Sequence, residues 1–313
     1  MSAYVVVDNL VKMYRDFYAV DHLSLDVEEG EIFGLLGPNG AGKSTTLSAI
    51  STLNSFDSGK VKIAGLNIVK EKSKVKSMIG MVPQEIAIYH HLNAYENVRF
   101  FASLYGLKGE KLEKAVEEAL EFVGLKEKQK MKPRQMSGGM QRRLNIACGI
   151  AHNPKLIIMD EPTVGVDAQS REHILNSIRI LKQRGATVIY TSHNMNEVEE
   201  ICDRIAIMDH GKLIAQGTKE ELVSLVTDMK AINIMTRTSS KEEELLKNLK
   251  VLPGVVNVTM KEGVLHLDLS LTCENLTPII DCISSCHMPI LSMESVVPNL
   301  DMTFLSLTGR ELR

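Results

Sequence analysis

The stretch GPNGAGKS, Gly37 to Ser44, constrains this chain more than any other. It follows EIFGLL, apolar at nearly every position, and precedes TTLSAI, which reads as a helix. A strand apolar on both faces has to be covered on both faces, as in a parallel sheet. Gly37, Gly40 and Gly42 let the backbone approach a ligand closely. Successive N–H groups in such a loop form a concave nest for phosphate oxygens. The following helix points its positive end at the same place. The spacing satisfies G-x-x-x-x-G-K-[ST], in which the lysine, Lys43, reaches the β- and γ-phosphates and the hydroxyl, Ser44, binds Mg²⁺. Pro38, Asn39 and Ala41 complete the loop, and Thr45 adds a further phosphate contact. An α/β fold is the expectation.

Elsewhere the chain alternates accordingly. YVVV and LSLDV read as short strands near the N-terminus, and GKVKIAGLNI, 59–68, alternates like a half-exposed strand. KLIIMD (155–160), ATVIYTSH (186–193) and RIAIMDHGKLIAQG (204–217) read as strand-like runs, with a helix over 169–184 between the first two. Alternating β and α elements predict a mainly parallel sheet covered by helices. Residues 86–153 turn helical and form an insertion. NAYENVRFFASLYGL ends near Gly106, and GEKLEKAVEEALEFVGL, with its apolar face of Leu112, Val116, Ala119, Leu120 and Val123, ends near Gly124. The character changes after about residue 225, which divides the chain into 1–224 and 225–313. INIMTRT, KEEELLKNLKVL, VVNVTM, VLHLDLSL, LTPIIDCISSC and PILSMESV follow as β-α-β-β-α-β, with a hairpin around Lys261–Gly263 and a last helix near 298–308. That order predicts a small α+β, ferredoxin-like domain.

Two further stretches carry chemistry. In KLIIMDEP, Asp160 and Glu161 end a buried strand; Asp160 is placed to hold Mg²⁺ and Glu161 to polarise an attacking water as a general base. In QMSGGMQRRLNIA, residues 135–147, two glycines stand in front of an amphipathic helix whose N-cap is Ser137. A helix N-terminus with bare N–H groups is a docking site for an anion.

The order of these motifs resembles the nucleotide-binding subunits of ATP-binding-cassette (ABC) transporters. SGGMQ, about 20 residues before the acidic strand end, is similar to the signature motif of that family. The resemblance implies a P-loop NTPase fold of ABC type with an antiparallel β subdomain, ATP and Mg²⁺ as ligands, and hydrolysis of ATP. It implies that two copies pair head to tail, so that Ser137, Gly138, Gly139 and Gln141 of one copy cover the γ-phosphate held by the other. It assigns Tyr14, with Phe17 and Tyr18 as rivals, to stacking on adenine. Gln84, in MVPQE, falls to the Mg²⁺ and water site, Asp167 to the loop that crosses to the opposing copy, and His193 to the γ-phosphate and the water beside Glu161. Met136, Val166 and Ala168 depart from the commoner family residues without removing a catalytic group. The segment LNAYENVRFFASLYGL and the tail VVPNLDMTFLSLTGRELR resemble the daunorubicin-exporter, drug-resistance branch. That branch implies a polytopic membrane permease as partner, a homodimer, a place on the cytoplasmic face of the membrane, and an accessory or regulatory C-terminal domain.

Composition narrows the alternatives. The formal net charge of -3 and an aromatic content of 4% disfavour nucleic-acid binding. No apolar run approaches the ~20 residues that cross a bilayer, and the N-terminus lacks the pattern of a signal peptide, so a cytosolic chain is expected. The five cysteines show no C-x-x-C pair; the spacing of Cys282 and Cys286 would let them share a helix face and a metal or redox role, yet free cysteine is usually a small buried hydrophobe. A soluble ABC-type ATPase acting on ribosomes or DNA is the alternative. Ribosome-acting relatives usually carry two cassettes, and DNA-acting ones a long coiled coil, whereas this insertion lacks sustained heptads. A module that holds ATP without turnover is disfavoured by Glu161 and His193.

Overall fold

The computed structural model describes residues 3–225, 229–237, 241–261, 263–270, 273, 275–296 and 300–308. The chain divides into two compact units near residue 220. In the first, an antiparallel sheet is built from β1 (Ala3–Tyr14), β2 (Phe17–Glu28), β4 (Ser58–Ile63) and β5 (Leu66–Asn67), in the order β2-β1-β4-β5. The main sheet is built from β3 (Ile32–Leu36), β6 (Ile79–Val82), β7 (Leu156–Asp160), β8 (Thr187–Ser192), β9 (Arg204–Asp209) and β10 (Lys212–Gly217). Its order is β10-β9-β3-β8-β7-β6; only the β9–β10 pair is antiparallel. The run 204–217, read as one strand, is therefore a hairpin. His210 and Gly211, both at positive φ, turn the chain between β9 and β10.

The helices of this unit are α1 (Lys43–Ile50), α2 (Lys72–Met78), α3 (Ala94–Leu104), α4 (Gly109–Phe122), α5 (Gly138–Ile150), α6 (Ala168–Gln183) and α7 (Met195–Ile201); α8 (Lys219–Ser224) spans the division. Helices α3, α4 and α5 lie between β6 and β7 in sequence, as the periodicity predicts. Asn93 and Glu96 close α3 with a reciprocal capping box. Strand β6 and helices α2, α7 and α8 carry too few residues for a periodic signal and are found only in the fold.

Every residue of β3, β7 and β8 is buried, which accounts for the nearly unbroken apolar runs of β3 and β7; β8 buries Thr187, Thr191 and Ser192 as well. Their register decides where the chemistry emerges. Leu36 pairs with Ser192, Asp160 with Thr191, and Val82 with Met159. The chain therefore leaves β3, β7, β8 and β6 at one edge of the sheet, with the phosphate loop, Glu161, His193 and Gln84 directly beyond. Open α/β sheets present their ligand crevice at this carboxyl edge.

The second unit holds β11 (Met229–Thr236), α9 (Glu242–Lys250), β12 (Val255–Lys261), β13 (Val264–Ser270), α10 (Thr277–Ser285), β14 (Ile290–Val296) and α11 (Leu300–Thr308). Its antiparallel order β12-β13-β11-β14 is that of a ferredoxin-like sheet. Ile232 and Ile234 of β11 and the β13 leucines pack with Leu245, Leu249, Ile279 and Ile283 of the two helices as a separate core. The turn expected around Lys261–Gly263 and the ends of the tail VVPNLDMTFLSLTGRELR lie partly outside the described residues. No described helix is long and apolar enough to cross a membrane.

Candidate active site

Tyr14, Phe17 and Ala19, the whole loop from Pro38 to Thr45, Gln84 and Glu161 line one open cavity of about 360 Å³. Gly42 forms the N-cap of α1 at φ +100, a conformation that side chains avoid, and a Cβ there would run into the Ala19 carbonyl. The Lys43 ammonium is buried and donates to the carbonyls of Gly37 at 2.6 Å and Pro38 at 3.2 Å. Burial lowers its pKa, against the raising effect of Glu161 and Asp160. The desolvated ammonium lies 3.7 Å from Glu161 Oε1.

Glu161 is the junction of the site. Its carboxylate accepts from Gln84 Nε2 at 3.1 Å and lies 3.3 Å from His193 Nδ1. Its backbone sits at φ +46, rare for a residue with a side chain. Thr191 of β8 helps to hold it there: its Oγ1 accepts the Glu161 N–H at 2.9 Å and donates to Asp160 Oδ1 at 2.7 Å. Thr191 was not among the residues singled out from the sequence. Its signal was weak: one of three neighbouring hydroxyls in VIYTS, with Tyr190 and Ser192 on either side, and about thirty residues from its partners.

Tyr14 and its rival Phe17 both line the cavity, whereas Tyr18 does not. The residues of the SGGMQ stretch and Asp167 do not line it either. Ser137 caps α5, accepting from the Met140 N–H at 3.3 Å. Gln141 turns back to donate to the carbonyls of Pro133 and Met136. Asp167 caps α6 by accepting from the Ser170 N–H and hydroxyl, bonds that hold its carboxyl below the usual range. The two glycines differ. A Cβ on Gly139 would come within 2.6 Å of Ser170 Cβ and 3.2 Å of Asp167 Oδ2, whereas one on Gly138 would meet nothing nearer than the Gly165 carbonyl oxygen at 4.0 Å. Gly139 thus has a packing reason inside its own chain, and only Gly138 presents bare backbone outward.

All five cysteines are free, and no described cluster of His, Cys, Asp and Glu could hold a metal ion by itself. A cation here would share its shell with substrate phosphates. The candidate donors are oxygens: the Ser44 hydroxyl, the Asp160 carboxylate, and the Gln84 amide oxygen, whose nitrogen is committed to Glu161. Such hard donors fit Mg²⁺.

The family profile described as ABC transporter matches residues 20–164. The linearmycin resistance ATP-binding protein of Bacillus subtilis is 46% identical over 308 residues, 98% of this chain and 98% of that protein. The chain belongs to the ABC transporter family. The Nod factor export ATP-binding protein I of Sinorhizobium fredii is 34% identical, over 97% of this chain and 86% of that protein. The daunorubicin resistance ATP-binding protein of Streptomyces coeruleorubidus is 32% identical, over 99% and 97%. A dimeric ATP-binding cassette, solved in a post-hydrolysis state with ADP and Pi, matches 68% of this chain and 98% of its own at a TM-score of 0.63 and 30% identity. The chain is an ATP-binding, ATP-hydrolysing protein of the ABC type, as the motif order predicts. ATPase domains of this family work in pairs and with membrane permeases.

Proposed function

We propose that this chain powers export of a drug, antimicrobial peptide, lipid or similar molecule through a separate membrane permease, as a homodimer held at the cytoplasmic face of the membrane by that permease. The observation that carries the catalytic reading is the meeting of Lys43, Gln84 and His193 on the Glu161 carboxylate at the mouth of the phosphate loop. The loop amides and Lys43 bind the phosphates. Glu161 draws the proton from the attacking water, and His193 holds that water and the γ-phosphate. Ser44, Asp160 and Gln84 would hold Mg²⁺, which would supply neutralisation of charge on the phosphates. Positioning and electrostatic stabilisation carry most of the rate in such a transfer. Tyr14 stacks on adenine, with Phe17 beside it in the cavity wall.

Ser137, Gly138, Gly139, Gln141 and Asp167 serve the nucleotide held by the other copy. The exposed backbone of Gly138 at the start of α5 supports that reading. Residues 1–224 form the ATP-binding domain and 225–313 an accessory domain that steadies or regulates the pair.

Glu161→Gln should reduce steady-state ATPase activity of the full-length chain by about 10²-fold or more while ATP still binds. Equal rates in variant and wild type would remove Glu161 from the mechanism. A polytopic permease should co-purify with the chain from native membranes. Ribosomes or DNA-repair proteins in its place would leave the ATPase and overturn the export reading.

A further inference from the structure

A second carboxylate lies behind the site and takes no part in the chemistry described so far. Glu197, in the first turn of α7, is buried. A buried carboxylate is costly unless hydrogen bonds replace its water. Here three hydroxyls converge on one oxygen, Oε2: Thr163 at 2.7 Å, Tyr190 at 2.7 Å and Ser192 at 3.1 Å. The other oxygen faces the Asn194 amide at 3.5 Å and Arg171 Nε at 4.0 Å. Burial, and after it the charge of Glu197, pushes the Tyr190 phenol well above its ordinary value, so it remains a donor.

The origins of these partners matter. Thr163 is two residues beyond Glu161, on the segment that leads to Asp167. Ser192 immediately precedes His193, and Asn194 immediately follows it. Arg171 belongs to α6, which Asp167 caps. One side chain therefore joins the segment behind the base, the segment that carries the histidine, and the helix that opens at Asp167. Glu161 stands at positive φ, and such backbone persists only where its surroundings fix it. Thr191 holds that residue from the front, through its N–H; the Thr163–Glu197 bond anchors the chain on its far side.

We propose that Glu197 is a positioning residue for hydrolysis: its buried carboxylate, bonded to Thr163, Tyr190 and Ser192, sets Glu161 and His193 relative to each other. This rests on the roles proposed above for Glu161 and His193. Glu197 touches no substrate, so the expected signature is a loss of turnover without loss of nucleotide affinity.

The test compares Glu197→Gln, Thr163→Val, Thr163→Ser and Glu161→Gln in the full-length chain with Mg-ATP. Glu197→Gln and Thr163→Val should each lower kcat by about tenfold or more with KM for ATP within about threefold of wild type, and thermal unfolding should stay close to wild type. Thr163→Ser, which restores the hydroxyl, should recover turnover to within about threefold. Wild-type kcat in both Glu197→Gln and Thr163→Val would overturn the proposal. So would parallel loss of affinity and folding, or a Thr163→Ser as inactive as Thr163→Val. Turnover lost in Glu161→Gln but kept in Glu197→Gln would overturn the positioning role alone. Turnover kept in Glu161→Gln would overturn the catalytic reading and this role with it.

Discussion

At the scale of single residues, the contrast between Gly138 and Gly139 separates two demands that the sequence presents as one. Gly139 lies against Ser170 and Asp167 of its own chain, so Gly139→Ala forces a repacking of α5 on α6 that costs about 1–3 kcal/mol. Gly138 opens α5, and a Cβ there would meet only the Gly165 carbonyl oxygen, at an ordinary 4.0 Å, so alanine fits without repacking. Gly138→Ala should therefore keep stability in chemical denaturation while lowering ATPase activity, as the proposed contact with the second copy's nucleotide requires. Gly139→Ala should lose both. Wild-type ATPase activity in Gly138→Ala would mean that the outward glycine meets no ligand.

At the scale of elements, His152 ties three of them together just beyond α5. Its Nε2 donates to the Ile79 carbonyl at the start of β6 at 3.1 Å, and the Tyr105 ring at the end of α3 stacks on it at 3.4 Å. Burial pushes its pKa down from 6.5 to about 4. Between those values the unfolded chain binds a proton that the folded chain refuses. Stability contributed by the neutral ring is complete above pH 6.5 and is lost as pH falls toward 4. His152→Gln keeps a donor for the carbonyl and removes the titration. The stability difference between variant and wild type should therefore shift in the variant's favour by ~2–3 kcal/mol between pH 7 and pH 4, read by denaturant unfolding at each pH. A difference that does not change with pH would rule out the buried neutral ring.

At the scale of the whole molecule, the second unit has its own hydrophobic core, and the residues lining the phosphate cavity all belong to the first. Deleting residues 226–313 should leave equilibrium ATP binding intact. The same deletion should change dimer formation, ATPase rate or transport. Unchanged values of all three would remove any accessory or regulatory role from the C-terminal domain.

Some of this was legible in the sequence because the physics is local. The phosphate nest, its lysine and its hydroxyl sit within eight consecutive residues, so their spacing alone prescribes the backbone they need. The same holds for Asp160 and Glu161 at the end of an apolar run, for the helical periodicity of α3 and α4, and for the β-α-β-β-α-β order of the second unit. The turn at His210–Gly211 was missed because both flanking runs are apolar enough to read as one. What joins β7 to β8 was legible nowhere: Thr191 bridging Asp160 and Glu161, and Tyr190, Ser192 and Thr163 closing on Glu197. Thr191 stands about thirty residues from Asp160 and Glu161, and Thr163 a similar distance from Glu197, so those pairs carry no mutual spacing signal. The register of parallel strands decides whether they meet, and that register is settled by packing across the sheet, not by the chain between them.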